Sequence, residues 1–189
     1  MRALVLVLLA AVASCDRSKG SSGGEQPAPS SSVISIGVAL GNCPDVEACA
    51  RECDAGSADR CRRLAVTYAL GQGAPQDETR ATALYEKACD MKDPSACVFA
   101  GQMHEYAHGV PEDLTLAERD YERACDMQWP SGCYNEAIML ESGRGVPVDR
   151  AKAGDLYQIA CTAGAKQACE KARQMHQPPV PPWLDGGLP

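Results

Sequence analysis

The stretch from Gln102 to Gly109 reads QMHEYAHG and contains the pattern H-E-x-x-H. On a helix, His104 and His108 would lie one turn apart on one face, where two imidazoles can bind Zn²⁺, and Glu105 would act as general base. Such a site also needs a third protein ligand and an open position for water. Whether the pattern means anything therefore depends on the helices around it.

The composition fits one domain of ordinary size with tails. The chain has 189 residues, of which 45% are hydrophobic, 23% charged and only 5% aromatic. Alanine and cysteine supply much of the apolar content, which favours closely packed helices. The formal net charge of −7 and the lack of a basic cluster argue against nucleic acid as a partner and against electrostatic membrane binding.

Residues 1–14 have the pattern of a secretory signal peptide. One arginine precedes an apolar run from Ala3 to Ala13, which is shorter than the about 20 residues of a spanning helix. The run ends in V-A-S-C, and this resembles the bacterial lipobox, which implies that Cys15 is acylated and becomes the mature N-terminus. The alternative is ordinary cleavage with Cys15 as an incidental thiol. Asp16 resembles the enteric-type signal for retention at the inner membrane, so inner is favoured over outer.

Two further segments flank the central part of the chain. Residues 15–42 combine the lipidated N-terminus, a Ser/Gly/Pro-rich tether and an apolar stretch at 33–40, VISIGVAL. Residues 177–189 are proline-rich and favour polyproline II around Trp183. The apolar stretch either covers the first unit or pairs with a partner, and the proline-rich tail either caps the array or binds a groove.

Between these segments, the cysteines repeat with a fixed period. Pairs eight residues apart recur every 36 residues, at 53/61, 89/97, 125/133 and 161/169, and the sequence between them keeps the same period. Turn motifs recur with them, as GQGAPQD, AHGVPED and GRGVPVD. A period of this length is typical of stacked supersecondary units.

Each unit is predicted to consist of two helices. The first helix should end near the turn motif, before His108, so that His104 and His108 do not share one helix. The second helix should begin after an N-capping aspartate, which is Asp77, Asp113 or Asp149. Its apolar face repeats with helical spacing around one tyrosine, and this strict repetition predicts a buried stripe of Tyr85, Tyr121 and Tyr157.

These features resemble the Sel-1-like repeat family, which is related to tetratricopeptide repeats. The resemblance covers about residues 44–176 and rests on the G-V-P-x-D turn, the spaced alanines, the aromatic residue before K/R-A-C and the repeat length. It implies an all-α, right-handed α/α solenoid of about three and a half helix pairs over residues 43–176. The paired cysteines resemble the exported, cysteine-rich branch of the family, which implies the disulfides Cys53–Cys61, Cys89–Cys97, Cys125–Cys133 and Cys161–Cys169.

Disulfides also fit the oxidising compartment that a signal peptide implies. If Cys15 carries lipid, the two remaining cysteines pair as Cys43–Cys49. Each loop of about nine residues should stabilise the fold by roughly 2.5 kcal/mol in the chain-entropy model. The rival interpretation, zinc held by thiolates, usually requires C-x₂-C spacing, and the chain does not contain it.

The resemblance implies an interaction scaffold, and it also raises a competing function. The exported branch has been associated with penicillin binding and β-lactamase activity, but the chain contains neither S-x-x-K nor K-T-G. We therefore expect no catalytic residues and no cofactor. The alternative is a hydrolase, acting either on β-lactams or through zinc at His104 and His108 with Glu105 as base.

In relatives of this geometry, the first helix of each unit lines the concave face. Positions that vary there are the candidates for binding, and the alternative is that half of them simply pack between units. The expected partner is a protein or peptide of the bacterial cell envelope, met on the periplasmic side by a lipid-anchored scaffold. The candidate groove consists of Arg63, Phe99, Met103, Tyr106, Asn135, Ile138 and Met139.

Overall fold

The computed structural model describes residues 43–176, and that part of the chain contains eight α-helices. They are α1 Val46–Asp54, α2 Ala58–Leu70, α3 Glu78–Asp90, α4 Pro94–Glu105, α5 Leu114–Asp126, α6 Pro130–Ser142, α7 Arg150–Thr162 and α8 Lys166–His176. None of these eight is long and apolar enough to cross a membrane. The predicted signal peptide, Cys15, the tether, the segment 33–40 and the tail 177–189 lie outside the described residues.

The helices stack as a right-handed α/α solenoid, as the family resemblance implies. Helices α2–α3, α4–α5 and α6–α7 are complete pairs, α8 begins a fourth, and α1 precedes the first. Each helix packs against the next in the chain, and α4 also contacts α6. The first helices of neighbouring units therefore lie side by side in one layer, which is the layer that holds the candidate groove.

Aspartates begin the second helix of every pair. The carboxylates of Asp77, Asp113 and Asp149 each accept a hydrogen bond of 2.9 Å from the backbone N–H three residues further on. Such caps stabilise a helix by about 1 kcal/mol. The capping prediction is confirmed, and Asp45 and Asp93 cap α1 and α4 in the same way.

The first helix of each pair is followed, within two residues, by a residue in the left-handed region. Gly71 is the C-cap of α2 with a φ of 67° and Gly143 is the C-cap of α6 with a φ of 73°, where glycine carries no steric penalty. In the middle unit α4 ends at Glu105, and Ala107 takes the corresponding conformation with a φ of 57°. The expectation that this helix stops before His108 is confirmed.

Five disulfides join the ten cysteines of the described part. Four connect the end of one helix to the start of the next, with Cα atoms 4.5–4.7 Å apart. They join Cys53 to Cys61, Cys89 to Cys97, Cys125 to Cys133 and Cys161 to Cys169. The fifth joins Cys43 to Cys49, with a Cα distance of 6.1 Å. A disulfide therefore recurs at every junction between units.

The core is built from alanines around one large side chain per unit. Tyr85, Tyr121 and Tyr157 are buried, as predicted, and the alanines that flank them are fully buried. Close approach of the helices depends on these small residues. A Cβ added at Gly101 would lie only 2.7 Å from the ring of Tyr121, so α4 and α5 could not keep their spacing with alanine there.

Candidate functional site

A groove of about 640 Å³ opens between α6 and α8, at the last junction of the solenoid. Both walls come from first helices, and the start of α7 contributes to the rim. The groove mixes apolar side chains with charged ones, unlike the alanine-rich core beneath it. Its lining residues are Tyr134, Ile138, Glu141, Ser142, Arg150, Lys171 and Met175.

Helical spacing explains why these side chains face one another. Tyr134, Ile138 and Glu141 occupy positions i, i+4 and i+7 of α6, which form a single helical face. Lys171 and Met175 occupy positions i and i+4 of α8 and form the opposite wall. Two regular helices therefore present a continuous surface on each side.

Tyr157 lies behind the groove and organises its polar groups. Its ring centroid is 5.6 Å from that of Tyr134, and its hydroxyl donates a hydrogen bond of 2.6 Å to Glu141. The ammonium group of Lys171 donates to the same carboxylate at 2.9 Å and lies 5.8 Å from the Tyr157 centroid. Lys171 is therefore held by a carboxylate and an aromatic ring together.

These contacts shift the pKa values of both Tyr157 and Glu141. Burial, and then the hydrogen bond to Glu141, raise the pKa of the Tyr157 hydroxyl. Partial burial alone would raise the pKa of Glu141, but the donors Tyr157 and Lys171 outweigh it and lower the pKa. Glu141 is consequently ionised at neutral pH and keeps Lys171 in place.

The groove carries an excess of positive charge. Glu141 balances Lys171, whereas Arg150, an exposed residue at the start of α7, forms no salt bridge with any residue between 43 and 176. Tyr134, Ile138 and Met175 supply the apolar surface. The arrangement is suited to an extended segment with large apolar side chains next to a carboxylate.

Only part of the predicted groove lies on this surface. Ile138 lines it. Met103 and Met139 are 8% and 1% exposed, and both pack in the core between helices, so their assignment to the candidate groove was wrong. The alternative left open by the sequence, that varying positions of the first helices fill the space between units, applies to these two methionines.

The remaining predicted residues are scattered over the first-helix layer. Phe99 stacks on Tyr85 with a centroid distance of 5.1 Å, and Arg63 pairs with Asp59 at 2.7 Å. Tyr106 is 48% exposed at the end of α4, with the guanidinium of Arg144 5.4 Å from its ring centroid. Asn135 is half-buried on α6. The structure does not bring these four together in one groove.

Sequence reasoning missed the α8 wall. Lys171 and Met175 occupy the repeat positions of Phe99 and Met103, but they belong to the last, incomplete unit. Extending the repeat alignment into α8 would have added both to the candidate groove, because they also align with Asn135 and Met139. Tyr134 was missed because its repeat position holds Arg62, Val98 and Glu170 in the other units, and no shared property marks it.

The two histidines of H-E-x-x-H have different surroundings. His104 is buried, with its Nε2 2.9 Å from a carboxylate oxygen of Glu86 and 3.8 Å from one of Asp120. His108 lies beyond the end of α4, half exposed, with its Nδ1 3.5 Å from Glu78. Since the helix ends between them, the pattern does not form the single face that a zinc site of this type requires.

Glu105, the candidate base of that pattern, has a structural partner set instead. It is buried and accepts hydrogen bonds of 2.6 Å from both the Tyr121 hydroxyl and Arg144. Burial, and then the nearby Glu105, raise the pKa of Tyr121, so this hydroxyl remains a donor. Among residues 43–176, no group of three or more His, Cys, Asp or Glu side chains could hold a metal ion.

A second cavity, of about 430 Å³, lies between α3 and α5 on the second-helix layer. Asp120 is almost fully buried there, and burial raises its pKa, although Arg119, His104 and Arg123 partly offset the effect. The oxygen Oδ2 of Asp120 has no hydrogen-bond partner within residues 43–176. The cavity is lined by Glu86, Asp90, Arg119, Asp120 and Arg123.

The chain is similar to known proteins at the level of the repeat and the fold. The profile of the Sel1 repeat matches residues 61–93, 94–128 and 130–164. A Sel1 repeat protein from Oxalobacter formigenes is 27% identical, covers 70% of this chain and 99% of its own length, and superimposes with a TM-score of 0.63. No protein with a curated functional description is significantly similar in sequence.

Two further solved structures share the fold. A protective antigen of uropathogenic Escherichia coli strains with an SLR fold is 24% identical over 67% of this chain and 27% of its own, with a TM-score of 0.64. Cysteine-rich protein B of Helicobacter pylori is 21% identical over 67% of this chain and 90% of its own, with a TM-score of 0.54.

Proposed function

Since the chain belongs to the Sel1 repeat family, whose repeats generally mediate protein–protein interaction, we propose that it is a non-catalytic scaffold of the cell envelope. It binds an extended segment of a partner protein in the groove between α6 and α8. The observation that carries this proposal is the groove itself, with three apolar side chains along its walls and, at its rim, Arg150, which pairs with no residue between 43 and 176.

The groove supports peptide binding better than small-molecule chemistry. It is open along two helices, and its polar groups are either paired, as Glu141 and Lys171 are, or at the rim, as Arg150 is. A peptide can place apolar side chains against Ile138 and Met175 while a neighbouring carboxylate pairs with Arg150. Alternating apolar anchors and polar rim contacts are typical of peptide recognition.

We also propose that the protein is exported and anchored through lipid on Cys15, facing the periplasm. Five disulfides favour an oxidising compartment. The apolar run before Cys15 supports the anchor. Acylation by two or more chains gives stable attachment, since each buried CH₂ contributes about 0.8 kcal/mol and one chain alone is marginal. Asp16 favours the inner membrane.

Photo-crosslinking tests the groove in its native setting. A photoreactive amino acid at Ser142, on the groove rim, should give an adduct with another envelope protein, whereas the same amino acid at the exposed Glu47, on α1 at the other end of the array, should not. Lys171→Phe, which fills the groove, should abolish the adduct. Equal adducts at both positions, or an adduct unaffected by Lys171→Phe, would argue against the groove as the binding surface.

Cell fractionation tests the anchor. Wild-type protein should sediment with membranes, and the Cys15→Ser variant should be released in soluble form. Membrane association that survives the substitution would rule out acylation of Cys15. Recovery of the wild type in the outer-membrane fraction would rule out the sorting role assigned to Asp16.

A further inference from the structure

The groove ends where the described chain ends. Met175, on its α8 wall, is followed by His176 and then by residues 177–189, QPPVPPWLDGGLP. This segment contains Trp183 and Leu184, four prolines before them, and Asp185 as its only charged side chain. Its chemistry is therefore an apolar pair directly followed by a carboxylate.

We propose that residues 177–189 occupy this groove in the same molecule and regulate access to it. Trp183 and Leu184 lie against the apolar walls formed by Ile138 and Met175, and Asp185 pairs with Arg150. This inference rests on the groove of the proposed function, and it makes the segment a competitor of the partner peptide.

The segment is long enough to reach every part of the groove. Helix α8 has 11 residues, so it is about 16 Å long at 1.5 Å per residue. An extended chain covers about 3.3 Å per residue, so the stretch from His176 to Trp183 can span about 23 Å. A reversal behind His176 uses about four of these residues. The remaining about 10 Å still covers the about 6 Å of α8 between Met175 and Lys171, which is the part that lines the groove.

Charge favours this occupant. The groove has two cations, Lys171 and Arg150, and one carboxylate, Glu141. Lys171 is already paired with Glu141, which leaves Arg150 for an incoming anion. Asp185 supplies that anion, and the segment brings no cation that would compete for Glu141.

Covalent connection makes the contact favourable even if its intrinsic affinity is low. A short tether gives an effective concentration in the millimolar range, so a segment with a millimolar dissociation constant would occupy the groove about half of the time. A partner peptide must then displace it. The groove accordingly responds only to ligands that bind more tightly than the segment or that are present at high concentration.

Trp183 itself reports on the contact. The chain has two tryptophans, so Trp129→Phe leaves Trp183 as the single emitter. In the full chain carrying Trp129→Phe, with Cys15→Ser for solubility, Trp183 should emit at shorter wavelength and be less accessible to iodide than in guanidinium. Emission and iodide quenching that match the unfolded chain would overturn the proposal.

Two isoleucines give a matched pair of variants. Ile138 lines the groove, and Ile159 is 46% exposed on α7 outside it. Ile138→Asp should release Trp183, seen as a longer emission wavelength and faster quenching, and Ile159→Asp should not. Circular dichroism shows whether each variant is folded. Equal effects of the two substitutions in folded proteins would overturn the proposal.

A charge exchange keeps the test decisive if Ile138→Asp does not fold. Arg150→Glu at the exposed start of α7 should weaken the contact about tenfold, the change that corresponds to about 1.4 kcal/mol. Combining it with Asp185→Arg should restore the shielding of Trp183. Failure of both the loss and the rescue would contradict the pairing.

Shielding that depends on protein concentration would show that the segment docks on a second copy, and this would also overturn the proposal.

The result separates the inference from the proposed function. If Trp183 is solvent-exposed but Ser142 still crosslinks to an envelope protein, the groove binds a partner and the inference fails alone. If Trp183 is shielded but deletion of residues 178–189 yields no crosslink to a partner, the groove serves only its own segment and the proposed function fails.

Discussion

The first complete pair meets the next unit where α3 packs on α4, and the last complete pair meets α8 where α7 packs on it. These first and last junctions place different side chains at the same repeat positions. At the first junction, Phe99 on α4 stacks on Tyr85 with a centroid distance of 5.1 Å. At the last junction, the corresponding residue is Lys171 on α8, whose ammonium group lies 5.8 Å from the Tyr157 centroid. An aromatic ring covers the tyrosine in one case, and a charged, flexible side chain borders a groove in the other.

The other neighbour of each tyrosine is exchanged as well. Beside Tyr85 lies Arg62, a mostly buried residue paired with Asp93 at 2.9 Å and Asp59 at 2.6 Å. The corresponding residue beside Tyr157 is Tyr134, which lines the groove. The helices and disulfides recur at both junctions, so the groove differs from the filled first junction through two side chains on a constant frame.

Exchanging the residue that covers the tyrosine should have the largest effect. Phe99→Lys removes an aromatic stack and its buried area, so we expect the free energy of unfolding to fall by about 3 kcal/mol. Lys171→Phe gains a stack on Tyr157 and loses a half-exposed ion pair, so we expect a change within about 1 kcal/mol. Urea denaturation of the oxidised proteins measures both. Equal costs at the two positions would mean that the two junctions are packed alike.

Removing the tyrosine hydroxyls should have the next largest effect on the free energy of unfolding. Here the middle unit should lose the most and the first unit the least. Tyr121→Phe removes a donor from the buried Glu105, which should cost about 2 kcal/mol. Tyr157→Phe removes one from Glu141, which is 28% exposed and keeps Lys171, so the cost should be about 1 kcal/mol. Tyr85 forms no side-chain hydrogen bond within residues 43–176, so removal of its hydroxyl should be close to neutral.

The matched Tyr85→Phe variant serves as the control for that series. All three substitutions delete the same atom from a buried ring, so differences between them report on the carboxylate partner alone. A cost for Tyr85→Phe equal to that for Tyr121→Phe would mean that the hydrogen bond to Glu105 contributes nothing specific.

The middle junction differs from both others at Asp120, where the first and last have Leu84 and Leu156. Burial raises the pKa of Asp120 above its ordinary value of 3.8 in the folded chain. Ionised Asp120 therefore opposes folding, and its contribution to the free energy of unfolding falls as the pH rises from about 3.8 through the raised pKa. Asp120→Asn should thus be more stable than the wild type at pH 7.

The pH dependence of that difference is the diagnostic. The advantage of Asp120→Asn should shrink as the pH is lowered towards 3.8, because the unfolded carboxyl then begins to bind the proton that the folded one already holds. We expect a smaller effect than the about 1 kcal/mol of a typical hydrogen bond. Urea midpoints of the two proteins at pH 7 and pH 4 give the comparison. An advantage that grows on acidification would contradict the assignment.

The sequence predicts the frame of this molecule better than its surface. The period, the capping aspartates and the repeated tyrosine all depend on interactions that every unit must make, so they recur and can be recognised. Variation is ambiguous, since a position can change either because it faces solvent or because its neighbours change with it. Met103 and Met139 vary with their neighbours and are buried, whereas Ile138 varies and lines the groove.

Contacts between units were beyond sequence reasoning for a related reason. Arg144, which follows α6, binds Glu105 on α4 of the preceding unit. Lys171 on α8 binds Glu141 on α6 of the preceding unit in the same way. Each pair joins residues 30–39 positions apart that come from different repeat positions. Only the stacking of the helices determines which of the many charged residues meet, and that geometry is not contained in the period.

The groove at the last junction is proposed to bind an extended segment, and residues 177–189 are the segment assigned to it. Residues 43–176 contain two isoleucines, Ile138 in the groove and Ile159 outside it, so ¹³C-methyl NMR of labelled isoleucine reads both places at once. In this experiment the chain lacking residues 177–189 is titrated with a peptide that has the sequence of those residues. The account predicts that the Ile138 methyl signal moves and saturates while the Ile159 signal stays in place. An unmoved Ile138 signal, or equal shifts of both, would contradict the binding of residues 177–189 in the groove.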